Sequence, residues 1–325
     1  MSKELGGYFE LDLSISEYLH SDCVPLNSGR NCLKYLIQKR DIRDIWIPDY
    51  ICDAVELACR ETNVRLHKYK IGSNFLPESD PDVCKSGYLY LVDYYGQLSE
   101  SDIFTYLNIA NGNLIVDAAH SYFRDYRSDI DVLYTCRKFF GVPDGGFLKL
   151  KNQEYGPLEG IDVDKSYDRM LHLLGRFEED ASSFYDVYQE NEKKFYYAPI
   201  KVMSRLTRGL LSYFNYKQVK NKREENFRYL EDLLSPYNLL TLRCPEGPYM
   251  YPLMLDPRYS ETIRHQLISS KIYVPVLWPN VLQATSCDSW AYRYAWSIIP
   301  LPIDQRYGKE DMRKIADLIR LGIDA

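Results

Sequence analysis

The sequence is short of the residues that build metal centres. It has five histidines, and its eight cysteines (Cys23, Cys32, Cys52, Cys59, Cys84, Cys136, Cys244 and Cys287) include no CxxC pair and no nearby histidine pair. No metal site is therefore expected, and buried free thiols are the simpler reading. No segment approaches the roughly 20 consecutive apolar residues of a membrane span, and MSKELGGYFELDL at the start lacks the apolar core of a signal peptide, so a cytoplasmic, non-membrane protein is expected. Basic residues are not in excess: 40 Lys+Arg stand against 46 Asp+Glu, a net charge of −6, which provides no field for holding a nucleic acid backbone. Repeats, low-complexity tracts and Gly/Ser linkers are also missing.

What is present is the composition of a globular protein, with 46% hydrophobic and 26% charged residues over a length that suits one large or two modest domains. Thirty tyrosines stand out. Their apolar rings carry a hydroxyl that needs a partner, which suits dimer interfaces and polar-ligand clefts.

In the first half, short apolar runs at 45–47, 64–69, 88–92, 114–116, 132–134 and 147–150 read as strands, several of them apolar on both faces as a covered sheet requires. Helical spacing of apolar residues at 31–39 and 50–60 lies between them, so an α/β sheet is predicted. After Lys151 long charged and aromatic helical segments follow at 182–197 and 217–234. A second unit is then predicted, with strands at 239–243, 250–255, 272–276 and 294–299 and helices at 257–270 and 309–321. Its boundary falls near residue 205, giving a large unit at 1–205 and a small α+β unit at 206–325.

Three stretches carry chemistry. LIVDAAHSYF ends a buried strand in Asp117, with His120 three positions on, and ligands of open α/β sheets bind outside the carboxyl ends of strands. An acid capping the next helix is the alternative. DVLYTCRKFFGVPDGG sets Lys138 among apolar neighbours after the next strand, where desolvation lowers a lysine pKa toward that of a neutral-pH nucleophile; a solvated surface lysine is the alternative. PLNSGRN opens a helix, and Ser28 and Gly29 there let an anion approach free backbone N–H groups, unless the serine is a simple cap.

Together these stretches resemble the DegT-type, fold type I, pyridoxal-phosphate-dependent sugar aminotransferases. The resemblance runs the length of the chain through SGRNCL, IPDYICDAV, YYGQ, VDAAHS, CRKFFGVPDGG, REENFRYLEDL and SIIPLPIDQRYGKEDM. It implies a large domain with a mixed, mostly parallel seven-stranded sheet and a small C-terminal α+β domain. It further implies that Lys138 binds pyridoxal 5'-phosphate as a Schiff base, Asp117 pairs with the pyridine nitrogen, His120 lies beside the ring, and Ser28, Gly29, Arg30 and Thr135 hold the phosphate. Tyr50 or Cys52 would cover the ring. Asp93 stands where the family has a histidine, and Ser204 where a neighbouring subunit usually lends an asparagine. His20, Tyr95 and Trp278 are candidate substrate contacts.

The activity implied is transfer of an amino group, from glutamate as the expected amino-acid donor, to a keto-sugar nucleotide in polysaccharide or lipopolysaccharide biosynthesis, within a homodimer that shares its active sites. A lyase or dehydratase on the same fold and a non-catalytic scaffold are the competing expectations. Elsewhere, His67, His172 and His265 read as ordinary residues, Arg137 as a structural ion-pair residue, the Trp278, Trp290 and Trp296 set as core, and the Lys220–Glu225 charge run as a solvated helix face.

Overall fold

The computed structural model describes residues 5–153, 158 and 160–324. In chain order the elements are β1 Val24–Leu26, α1 Gly29–Lys39, β2 Asp44–Pro48, α2 Asp53–Glu61, β3 Arg65–Tyr69, β4 Tyr88–Val92, α3 Glu100–Ile109, β5 Leu114–Asp117, β6 Asp131–Thr135 and β7 Gly146–Lys149. Then come α4 Leu171–Glu178, α5 Tyr185–Lys194, α6 Arg205–Leu211, α7 Tyr216–Leu234, β8 Tyr251–Met254, α8 Pro257–Ser269, α9 Pro279–Ala284, α10 Trp290–Ser297, β9 Ile298–Leu301 and α11 Lys309–Asp324.

The first seven strands form one sheet in the order β1-β7-β6-β5-β4-β2-β3. β2 through β6 run parallel to one another, and β7 is antiparallel to both its neighbours. Parallel strands covered on both faces need apolar residues at successive positions. Leu114, Ile115 and Val116 of β5 are accordingly fully buried, each contributing about 1.5–3 kcal/mol by leaving water. All five parallel strands end at the same edge of the sheet, and the turns that follow β2, β4, β5 and β6 meet there.

A second apolar core gathers Phe227, Leu230 and Leu234 of α7, Ile263 and Leu267 of α8, Met312, Ile315 and Ile319 of α11, and the two-stranded β8–β9 ribbon. Two strands expected in this half are absent, and a third is kept only at its end. The 239–243 segment makes one ladder-like bond, from Leu239 N to Met254 O, and then turns away. The 272–276 segment is irregular, because Pro275 has no N–H to offer a ladder and its carbonyl accepts from Arg264 instead. Residues 294–297 belong to α10, capped by Ser289, and only the apolar 298–301 run continues as a strand.

The cysteines are unpaired, but Cys84 and Cys287 are exposed rather than buried. His67 is partnered after all: it bonds Asp44 at 3.0 Å and stacks on Trp46. Arg137 pairs with Glu192 as expected. Trp278 and Trp290 pack against the main core, whereas Trp296 lies on the surface of α10 and stacks on Tyr292. No described helix is long and apolar enough to cross a membrane.

Candidate active site

β5 ends in Asp117, whose position opposite Val92 and Leu133 fixes it between β4 and β6. Its carboxylate accepts from the Tyr90 hydroxyl at 2.8 Å and from the Ala119 N–H at 2.9 Å. Tyr90 lies two residues before Val92 on β4, hence on the same face, and its ring reaches along the sheet to the acid.

His120, three residues on, is buried. Its Nδ1 faces the Tyr95 N–H at 3.4 Å, which sets Nδ1 as the acceptor and leaves the proton on Nε2. That Nε2 is buried without any hydrogen-bond partner. Burial and the Lys138 charge hold the ring well below the ordinary histidine pKa, so it is neutral. Tyr95 itself sits in the left-handed region at φ 53°, in the turn after β4 that Asp93 begins. Asp93 accepts from Leu98 N, Arg124 and Tyr126. In place of the histidine expected from the resemblance there is thus a buried acid that braces the turn.

Lys138 follows the end of β6, in a turn closed by Phe139 N and Phe140 N on the Cys136 carbonyl. Burial lowers its pKa, against the opposing pull of Asp117 and Cys52. The ammonium nitrogen lies 5.4 Å from the centre of the Tyr249 ring, and that ring packs against His120 at 4.7 Å. Trp278 is also parallel to the histidine, within 2° at 5.6 Å. Tyr249 escaped the sequence reading because it enters the site from a loop before β8, more than a hundred residues from Lys138 in the chain.

The start of α1 approaches from β1. Ser28 Oγ caps the helix by accepting from Asn31 N at 3.1 Å. A Cβ on Gly146 would come within 2.7 Å of both Gly29 N and Ser28 C, and one on Gly29 would meet Thr135 Cβ at 3.8 Å. Ser28, Gly29 and Thr135 are therefore neighbours, beside the strand that leads to Lys138. Arg30 is turned the other way, donating to the Phe195 carbonyl under the Tyr196 ring.

Tyr50 is fully buried among Tyr94, Trp278 and Tyr294. Cys52 stands at the N-cap position of α2 without a capping side-chain bond, and burial pushes its thiol up to about 11. One candidate is not brought to this edge. His20 stacks on Tyr134 at 3.9 Å and bonds the Tyr122 carbonyl at 2.7 Å, on the opposite face of β6 from Thr135. Ser204 caps α6 from within the chain, its Oγ bonded to Asp144, Ser166 and Thr207 N. Its hydroxyl is fully engaged there.

The sequence matches no protein-family model and no curated protein. Solved structures do match. Spr1654 of Streptococcus pneumoniae, assigned as a sugar aminotransferase and solved in a PLP form, superposes with a TM-score of 0.68 at 11% identity, over 94% of this chain and 88% of that one. The sugar aminotransferase CalS13 of Micromonospora echinospora gives 0.64 at 14% identity over 93% and 87%. A DegT DnrJ EryC1 StrS aminotransferase from Brucella abortus gives 0.62 at 13% identity over 91% and 84%. The chain has the sugar-aminotransferase fold. The seven-stranded, mostly parallel sheet expected from the resemblance is the sheet observed, and in this fold the strand ends that carry Asp117 and Lys138 form one edge.

Proposed function

We propose that the chain is a pyridoxal-phosphate-dependent aminotransferase that moves an amino group from an amino-acid donor, glutamate by expectation, to a keto-sugar carried on a nucleotide. One observation carries the reading: a strand-end carboxylate, a buried neutral histidine with an unpaired Nε2–H, and a desolvated lysine stand at adjacent strand ends. A pyridine ring with a phenol oxygen and an aldehyde would supply the partner that Nε2 lacks, so the residues fit that cofactor. The fold shared with sugar aminotransferases supports the same choice.

When bound, the cofactor acts as an electron sink for the electrons left on breaking the substrate Cα–H bond. Everything else falls to the chain. Asp117, held by Tyr90 and the Ala119 N–H, would keep the ring nitrogen protonated. The neutral His120 would donate its Nε2 proton to the ring oxygen. Ser28, Gly29 and Thr135 would receive the phosphate at the positive end of α1, with Arg30 close by in sequence but aimed elsewhere. Lys138 would hold the cofactor, and its amine would serve as the base that carries a proton from Cα, a role that needs a pKa nearer neutrality than an exposed lysine's. Trp278, Tyr95 and Tyr249 lie around His120 and would be the first rings to meet a substrate.

A large unit at 1–205 and a small one at 206–325, a homodimer with shared sites, and a cytoplasmic role in building surface polysaccharide belong to the same proposal. The test is a pair of half-reactions. Glutamate should convert the bound cofactor to its amine form, and a keto-sugar nucleotide should restore it. Conversion by neither substrate, with elimination products instead, would favour a lyase.

A further inference from the structure

Arg223 lies within the Lys220–Glu225 charge run that reads as a solvated helix face, yet in α7 it is 2% exposed. A buried guanidinium ordinarily faces a carboxylate, because taking an unpaired charge out of water costs several kcal/mol. Here all five hydrogen-bonding contacts of the group and its partner are to neutral oxygens. Nη2 donates to the Phe139 carbonyl at 3.2 Å, Nη1 to the Pro248 and Tyr249 carbonyls at 3.1 and 3.2 Å, and Nε to Gln305 Oε1 at 2.9 Å. Gln305 in turn donates to the same Phe139 carbonyl at 2.9 Å. The Phe139 ring lies under the guanidinium at 4.8 Å.

These contacts have one thing in common: Phe139 is the residue after Lys138, and Tyr249 is the ring that faces the lysine nitrogen and backs His120. We propose that Arg223, with Gln305, is a positioning residue that locks the Lys138 turn to the Tyr249 wall, so that the lysine amine and the histidine keep a fixed relation when substrate enters. Three planar nitrogens on one rigid fork hold three backbone carbonyls and the Gln305 amide oxygen at once; a lysine ammonium cannot reproduce that geometry. Arg223, Tyr249 and Gln305 all come from the C-terminal half, and Phe139 from the sheet half, so the fork also ties the two apolar cores together across the site. A misplacement of a reacting group by about 1 Å can cost about 10²-fold in rate, which is the scale expected here.

The inference rests on the reading of Lys138 as the cofactor lysine, and the experiment separates the two. Parent protein and Arg223→Lys are prepared without cofactor, treated with pyridoxal phosphate and borohydride over a pH series, and the fraction modified at Lys138 is measured by mass spectrometry. Turnover parameters are taken in parallel. The parent should be trapped at Lys138 at neutral pH; absence of trapping in the parent would overturn the cofactor reading and this inference with it. In folded Arg223→Lys, we expect trapping at neutral pH to fall at least about fivefold, its pH midpoint to rise, and kcat to drop by about 10- to 100-fold with little change in the donor KM. Parent-like trapping and kcat within about twofold, with only the melting temperature lowered, would show a purely structural arginine. Gln305→Met, which keeps the guanidinium and removes one donor from Phe139, is read by the same criteria should Arg223→Lys not fold.

Discussion

The Tyr90 hydroxyl donates to Asp117 Oδ2 across two neighbouring parallel strands at 2.8 Å. A carboxylate at the end of a strand would otherwise swing with its two side-chain torsions, and here one oxygen is held by a ring on β4 and the other by a backbone N–H. Tyr90→Phe leaves that oxygen without its donor and should cost about 1–3 kcal/mol of stability. Urea unfolding of the two proteins measures it. An unchanged midpoint would mean that the hydrogen bond contributes nothing.

Gly146 lies on β7 between Leu26 and Thr135 in register, and the atoms that a side chain there would strike are backbone atoms of Ser28 and Gly29. Backbone cannot turn aside as a side chain can. Gly146→Ala should push the start of α1 away from Thr135, cost about 1–3 kcal/mol, and weaken pyridoxal-phosphate binding by tenfold or more. Titration of the protein's visible absorbance with cofactor would show the loss, and unaltered affinity would argue that the phosphate lies elsewhere.

Burial lowers the His20 pKa to about 4 from an ordinary 6.5. The unfolded chain therefore binds more protons than the folded one between those values. Above about pH 6.5 the residue is neutral in both states and costs the fold nothing; a penalty on the folded state builds as the pH falls toward 4. It amounts to something on the order of 2–3 kcal/mol. His20→Gln should flatten the rise of unfolding free energy with pH across that window, though His120, also neutral by burial, keeps part of the slope. An identical slope in both proteins would mean that His20 is solvated in the native state.

The parallel sheet was readable because strands covered on both faces must be apolar at nearly every position: Tyr88–Val92 stands where its pattern predicted, and Leu114–Asp117 extends the predicted run by one residue. The C-terminal half was less so. Tyr294 and Ala295 pass for a strand by aromatic content, but Ala291, Tyr294 and Ala295 recur at helical spacing, and Ser289 starts a helix there. Among site residues, Asp117, His120 and Lys138 carry their meaning locally, next to strand ends. Tyr249 and Arg223 acquire theirs only by tertiary contact, the latter from 84 residues away in the chain. The partners of Ser204, Asp144 and Ser166, likewise come from distant loops that no local pattern relates to it.

The amine of Lys138 is the group on which the proposed chemistry turns. Purified protein incubated with pyridoxal phosphate should turn yellow, borohydride should fix the cofactor on the peptide that contains Lys138 in one-to-one yield, and Lys138→Ala should remain folded and colourless after gel filtration. Cofactor fixed on other lysines, or equally on the Lys138→Ala variant, would contradict it.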